Sequence, residues 1–291
     1  MRHNTINIAD GEIATLELGC AETAHTTVVF VHGWLDNAAS FSSILPMLAN
    51  LDYGLHLCAI DLPGHGLSSH KGAGNFYPFH DYIDDLHQIL TTLSSNRLVL
   101  VGHSLGALIA SCYSAAFPEH VAGLVQIEGF GPLAESADKS VERLRQGVLS
   151  RQRLRRKPKR TISNLEEMTM RRATLNGLDT RLIRPVVERG MICHRGEWHW
   201  RHDSRLQSDS LYRMSLEHAA AVIQKIHCPQ LVILGDQGYA HLKDLLRISN
   251  PLDDVEAMTK VSVEVTNGAH HCHLQSPSSV TALIFGLLNK I

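Results

Sequence analysis

The sequence lacks the features that mark membrane-spanning, secreted or disordered chains. No uninterrupted apolar run approaches the ~18 residues that a membrane-spanning helix needs. The charged, strand-like sequence around Asp10 and Glu12 follows Met1 too closely to leave room for the apolar region of a secretory signal. Charge is nearly balanced, with 27 Lys and Arg against 29 Asp and Glu. These absences argue against a membrane span or a nucleic-acid partner, and they predict a globular, cytoplasmic protein.

The sequence also lacks the patterns that mark disulfide-rich, zinc-binding, repeat and multidomain proteins. None of the six cysteines stands in a C-x-x-C pattern, and four lie in apolar surroundings. Reduced core thiols are therefore favoured over disulfides or a zinc site. The chain has no internal repeat and no Gly/Ser-rich or Pro-rich linker. Its 291 residues, 44% of them hydrophobic, are enough to bury a substantial core.

Short apolar runs rich in β-branched residues alternate with helix-length segments along most of the chain. Six of them predict strands, at 26–31, 55–60, 97–101, 121–127, 229–234 and 261–265. Such continuously apolar strands are typical of a parallel sheet covered on both faces. Two more strands flank Asp10-Gly11, a dipeptide that favours a tight hairpin turn. Helical periodicity marks 78–94, 104–117 and 277–290. We therefore predict an α/β fold with a mostly parallel eight-stranded sheet and helices on both faces.

This alternation stops between Gly129 and His227, where almost no strand pattern is found. Helix-like stretches occur instead, at 140–155, 162–175, 179–189 and 208–224. We predict a helical cap or lid, residues 130–225, inserted after the sixth strand of a core made of 1–129 and 226–291. Within the cap, residues 151–160 include seven basic residues. A solvated helix face is the simplest interpretation, and recruitment of an anionic substrate or a membrane surface stays open.

Residues 102–106, GHSLG, have the form G-x-S-x-G and lie between an apolar strand and a helical segment. In that context the motif forms a sharp turn that exposes a serine hydroxyl at the edge of a sheet. We predict that Ser104 is a nucleophile, and the alternative is a serine that caps the following helix. A serine nucleophile needs hydrogen-bond donors for the developing oxyanion. We assign these to the backbone amides of Leu105 and of Trp34, in the loop after strand 26–31.

Five motifs occur in the order found in the α/β-hydrolase superfamily, which the chain resembles over nearly its whole length. They are HGWLDNAASF, IDLPGHGLS, VGHSLG, PQLVILGDQG and GAHHCHLQSP. HGWLDN, IEGFGP and HHCH most resemble the branch called serine hydrolase-like proteins, and more distantly epoxide hydrolases and haloalkane dehalogenases. Because those two relatives use a carboxylate nucleophile, Ser104 argues against their chemistries. The resemblance also implies that the nucleophile, acid and histidine follow in that order.

The resemblance implies a base near the C-terminus, where the sequence NGAHHCH follows the last strand. Counting back seven residues from Pro277 places the catalytic position at His270, with His271 as the alternative. The clustered histidines could instead bind a metal ion, but apart from Cys272 no further ligand completes a set. We therefore predict His270 as the general base and no metal site.

The acid departs from the superfamily pattern, because Gly238 stands where most relatives have aspartate. Two replacements are available: Glu128 at the end of the sixth strand, and Asp236. We favour Glu128, because catalytic groups gather at the tips of parallel strands and an unpaired charge is costly after four apolar residues.

Together these residues predict a serine hydrolase that cleaves a carboxylic ester or related acyl bond of a small molecule through an acyl-enzyme intermediate, without a cofactor. A thioester hydrolase or a C–C bond hydrolase would use the same residues. The displaced acid also leaves open a non-catalytic ligand-binding protein on the same fold. Neither the acyl group nor the oligomeric state follows from the sequence.

Overall fold

The computed structural model describes residues 1–93, 96–156, 164–240, 242 and 261–291. Its strands are β1 (Arg2–Ile8), β2 (Gly11–Leu18), β3 (Thr26–Val31), β4 (Leu55–Ile60), β5 (Leu98–His103), β6 (Gly123–Ile127), β7 (Met191–His194), β8 (Glu197–Trp200), β9 (Gln230–Gly235) and β10 (Val261–Thr266). Eight of them form one sheet, in the order β1-β2-β4-β3-β5-β6-β9-β10. The two pairs that include β2 are antiparallel and the other pairs are parallel. The predicted fold class is thus confirmed.

The helices are α1 (Ile44–Leu51), α2 (Asp81–Thr92), α3 (Leu105–Ala116), α4 (Ser140–Arg156), α5 (Leu165–Asn176), α6 (Thr180–Gly190), α7 (Leu216–Gln224), α8 (Cys272–Gln275) and α9 (Pro277–Leu288). Short 3-10 helices span Ala38–Phe41, Ala137–Lys139 and Ser204–Gln207. Among the described helices, none has both the length and the apolar character needed to cross a membrane.

Helices cover both faces of the sheet because its central strands are apolar on both sides. Along β3, Val28 and Phe30 pack into one buried cluster, together with side chains of α1 and α9. Val29 and Val31 point the other way and join a second cluster with side chains of α2 and α3. Successive side chains of a strand alternate between faces, so one fully buried strand supplies two cores.

The segment between β6 and β9 differs from the sequence prediction in two places. Residues 191–200, where almost no strand was expected, form the antiparallel hairpin β7-β8. The stretch predicted as a helix over 208–224 becomes helical only at Leu216. The start of the helix predicted at 162 and the end of the basic segment, residues 157–160, lie outside the described residues. We call residues 137–224 the insertion, since in its described part it adds no strand to the main sheet.

A buried ion pair joins the insertion to the loop after β4. Asp61 accepts hydrogen bonds from the amides of Ala38 and Leu67, both at 2.7 Å, and so holds two turns of the core. Nε of Arg189, from α6, lies 3.0 Å from both carboxylate oxygens. Both side chains are almost fully buried. Removing one partner of such a pair typically costs about 3–5 kcal/mol, because the other charge stays buried without compensation.

Candidate active site

Ser104 lies at a strained turn between β5 and α3. Its backbone has φ 49° and ψ −117°, a conformation that costs free energy for a residue with a side chain. Close packing maintains the turn: a Cβ on Gly106 would lie 1.9 Å from the carbonyl oxygen of Val31. The Ser104 side chain forms no capping hydrogen bond with α3, so the alternative role as a helix cap finds no support in its contacts. Its half-buried position at the turn leaves the residue partly open to solvent.

The loop of residues 33–37, between β3 and the 3-10 helix Ala38–Phe41, passes directly beside this turn. A Cβ built on Gly33 would lie 2.9 Å from Nδ1 of His103 and 3.2 Å from Cβ of Ser104, so a side chain here would force the loop and the turn apart. The Trp34 ring is half exposed, and its Nε1 donates to the carbonyl oxygen of Leu206 in the insertion, at 2.9 Å. Leu105 begins α3, so its amide has no acceptor within the helix. The backbone of both predicted oxyanion donors therefore lies close to Ser104.

Glu128 follows β6 and points its buried carboxylate toward the loop after β9. The amide of Gly235 donates to Oε1 at 2.7 Å, and the amide of Tyr239 donates to Oε2 at 3.1 Å. Nδ1 of His270 lies 3.5 Å from Oε2. Burial alone would raise the pKa of Glu128, but the nearby imidazole of His270 and the hydrogen bonds from the two amides lower it below its usual value. Glu128 is thus an ionised carboxylate held against a histidine.

The absence of a side chain at Gly238 leaves room for the carboxylate of Glu128. A Cβ on Gly238 would lie 2.0 Å from Oε1 of Glu128, so the carboxylate of one residue occupies the space next to the backbone of the other. The resemblance noted in the sequence implies that most members of the superfamily carry an aspartate at this position. Asp236, the alternative acid, accepts a hydrogen bond from the amide of Gly268 at 2.8 Å. That contact links the loops that follow β9 and β10.

His270 lies in the loop between β10 and α8, with 22% of its side chain exposed. Its carbonyl oxygen accepts a hydrogen bond from Nε2 of His103, the residue before Ser104, at 2.9 Å. The Tyr239 ring packs on the imidazole with centroids 4.4 Å apart. The 3.5 Å separation from Glu128 is longer than a well-formed hydrogen bond, as is common for catalytic pairs without substrate. The structure therefore brings His270, Glu128 and the Ser104 turn to one edge of the sheet.

His271 points to a different carboxylate. Its Nε2 lies 3.3 Å from Oδ2 of Asp36, while Oδ1 accepts a hydrogen bond from Arg172 of α5 at 2.7 Å. Burial opposes ionisation of Asp36, but the hydrogen bond from His271 and the charge of Arg172 lower the pKa of this carboxyl. Neither Asp36 nor Arg172 is among the site residues predicted from the sequence. Asp36 lies within the HGWLDN motif, but its partner is 136 residues away and no local pattern marks it.

Comparison with known proteins matches this architecture. A family model described as alpha/beta hydrolase fold matches residues 26–237, which include β3, the Ser104 turn and β9. The chain belongs to the α/β hydrolase fold family. This α/β hydrolase is 28% identical over 270 residues to a serine hydrolase-like protein of Danio rerio, covering 90% of this chain and 81% of the relative. It is 29% identical over 278 residues to a probable serine hydrolase of Drosophila melanogaster, with the same coverages.

Solved structures agree with the family assignment. A hypothetical protein of Pseudomonas aeruginosa PAO1 superposes with a TM-score of 0.86 at 28% identity, over the full length of both chains. A thioesterase domain from the curacin biosynthetic pathway superposes with a TM-score of 0.84 at 20% identity, over 98% of this chain and 99% of that domain. The second likeness shows the fold alone. Family membership and the serine hydrolase-like relatives support hydrolase activity.

Buried neutral histidines surround the site of this α/β hydrolase. Burial lowers the pKa of His273 to about 3, and it also lowers the pKa values of His32, His65 and His103. The His273 and His103 rings pack with centroids 4.2 Å apart. Among the described residues, no three His, Cys, Asp or Glu side chains are arranged to hold a metal ion. Of the three clustered histidines, His273 is therefore a buried, neutral ring that packs against His103.

Acidification is therefore expected to lower the free energy of unfolding, beginning at pH values well above the range in which carboxyl groups titrate. In the unfolded chain these histidines take up protons near pH 6.5, whereas in the folded state His273 does so only near pH 3. The unfolded state thus binds more protons, and stability falls as the pH drops, by up to about 1.4 kcal/mol per pH unit for each histidine. Urea midpoints between pH 7.5 and 5.5 would measure the slope. His273→Met should flatten it, exposed His194→Gln should not, and a midpoint independent of pH would contradict the prediction.

Proposed function

We propose that this α/β hydrolase cleaves a carboxylic ester, or a related acyl bond of a small molecule, through a covalent intermediate on Ser104. The observation that carries the proposal is the strained backbone of Ser104 at the turn from β5 to α3. Strain of this kind persists at sites where the surrounding structure holds a residue for function. The half-buried side chain, without a capping bond, is the group that such a turn presents to a substrate.

In the proposed mechanism Ser104 Oγ attacks the carbonyl carbon while Nε2 of His270 accepts the hydroxyl proton. Glu128 accepts a hydrogen bond from Nδ1–H, which fixes the tautomer that leaves Nε2 free and stabilises the imidazolium. The imidazolium then protonates the leaving group as its bond to the carbonyl carbon breaks. Water repeats the sequence: His270 takes its proton, the acyl group passes to the hydroxide oxygen, and Ser104 regains its proton.

The amides of Leu105 and Trp34 would donate to the carbonyl oxygen as it becomes negative. Removal of one donor in such sites costs about 10²- to 10³-fold in kcat. We also propose that residues 130–225 act as a cap over Ser104 and exclude water during acylation. The contact of Trp34 Nε1 with Leu206 supports this role, because it joins the insertion to the loop of residues 33–37.

Labelling with a fluorophosphonate probe tests the proposal, since this reagent traps an activated serine. We expect the wild-type protein to label, Ser104→Ala to lose all labelling, and the exposed control Ser43→Ala to label as the wild type does. p-Nitrophenyl esters and acyl thioesters of increasing chain length would then define the acyl group and the leaving group. A folded wild type that neither labels nor hydrolyses a p-nitrophenyl ester would instead support a non-catalytic ligand-binding protein.

A further inference from the structure

Residues 33–37, which we call the oxyanion loop, are held by three separate parts of the insertion. Nε1 of Trp34 donates to the carbonyl oxygen of Leu206 at 2.9 Å. Nδ2 of Asn37 donates to the carbonyl oxygen of Val186, in α6, at 2.7 Å. The third contact comes from α5 through Arg172. The loop beside Ser104 therefore depends on residues more than a hundred positions away in the chain.

Arg172 differs from the other two contacts because it brings a full charge to the loop. The nitrogen that donates to Asp36 Oδ1 at 2.7 Å also donates to the carbonyl oxygen of Leu35 at 3.2 Å. Leu35 has φ 60°, in the left-handed region that a residue with a side chain disfavours. Because this conformation is strained, the loop needs contacts from outside to keep it.

Asp36 extends the influence of Arg172 to the histidines. Its carboxylate is buried, and Oδ2 lies 3.3 Å from Nε2 of His271, the neighbour of His270. Nδ1 of His103 lies 3.9 Å from the same oxygen, and the other nitrogen of that ring donates to the carbonyl oxygen of His270. Without the guanidinium, Asp36 would be a buried carboxylate facing imidazoles. It would be expected to take up a proton or to move toward water, carrying the loop with it.

We propose that Arg172 is a positioning residue, which fixes the oxyanion loop and the backbone of His270 in the arrangement that the reaction requires. This inference rests on the proposed serine hydrolase function. The described hydrogen bonds of Arg172 go to Leu35 and Asp36, so we assign its effect on the reaction to these two residues. A small displacement of the Trp34 amide relative to Ser104 is enough to slow acyl transfer, because oxyanion stabilisation depends on donors placed in advance.

Three variants test this role. Arg172→Met removes the charge and its hydrogen bonds while keeping an unbranched side chain. Arg172→Lys restores the charge, and Arg171→Met, at the exposed neighbouring position of α5, is the matched control. The measurements are kcat and KM for a p-nitrophenyl ester, the rate of fluorophosphonate labelling, and hydrogen exchange of the amides in residues 33–37.

We expect Arg172→Met to lower kcat and the labelling rate by about 10- to 100-fold, while KM changes by less than about threefold, because ester contacts remain and oxyanion donors are displaced. Exchange in residues 33–37 should become faster. Arg172→Lys, or guanidinium added to Arg172→Met, should recover part of the rate, and Arg171→Met should match the wild type. If folded Arg172→Met kept both kcat and the exchange rates, the positioning role would be wrong while the proposed hydrolase function would stand. If the wild type were inactive and unlabelled, the proposed function would be wrong, and the positioning role with it.

Discussion

Glu128→Gln should lower kcat by about 10³- to 10⁴-fold, the loss typical when an amide replaces the acid of a serine triad. The carboxylate of Glu128 faces Nδ1 of His270, and an ionised acceptor there keeps the proton on Nδ1. An amide can donate to that nitrogen instead and so favours the wrong tautomer. Steady-state kinetics would measure the loss, and circular dichroism would verify that the variant is folded.

Moving the acid gives a sharper test of the same assignment. A Cβ on Gly238 points into the space of the Glu128 carboxylate, and the backbone there has no positive φ, so an aspartate is sterically permitted once Glu128 is shortened. Glu128→Ala combined with Gly238→Asp is expected to recover much of the activity that Glu128→Ala loses. Gly238→Asp alone should be poorly tolerated. If Asp236→Asn abolishes turnover while Glu128→Gln preserves it, Asp236 is the acid instead.

His270→Ala should lower kcat by about 10⁴- to 10⁶-fold, as expected when a general base acting together with its nucleophile is removed. His271→Gln should change kcat by less than about tenfold, because an amide can still donate to Asp36 and the base is untouched. Fluorophosphonate labelling and ester hydrolysis report both effects.

Comparing the His270→Ala and His271→Gln variants distinguishes the roles of two adjacent histidines, each of which faces a buried carboxylate. The His270 ring is 22% exposed, whereas the His271 ring is 9% exposed and lies against Asp36. If His271→Gln stopped labelling and His270→Ala did not, the base would be His271 and Asp36 its acid.

The central strands could be predicted from the sequence because they are short, continuously apolar and separated by helix-length segments, and β1 and β2 could be predicted because they flank the Asp10-Gly11 turn. The hairpin β7-β8 could not, since its turn at Arg195 and Gly196 has positive φ at both positions without the Asn-Gly or Asp-Gly signal that usually marks one. The late start of α7 has a similar cause. Ser215 caps this helix by accepting from the amide of His218. The apolar residues before it imitate helical spacing without being helical.

Likewise, some residues of the candidate site could be predicted from the sequence and others could not. Ser104, His270 and Glu128 could be nominated because each lies in a motif or at a strand end, where topology alone brings side chains together. The pair formed by Asp36 and Arg172 could not be found from local sequence. It joins positions 136 residues apart, through a contact that exists only once the insertion packs on the core.

The buried pair of Asp61 and Arg189 also constrains how this protein folds. Asp61 holds two turns of the core, and within the described part of the chain its buried charge is paired with Arg189 of the insertion, so separating the two parts would leave a buried charge uncompensated. We therefore expect the insertion and the sheet to unfold together in one cooperative transition. An insertion grafted from another family member would need to supply a cation at this point, whatever substrate it brought. The sequence of the insertion is therefore constrained by the stability of the fold as well as by the substrate.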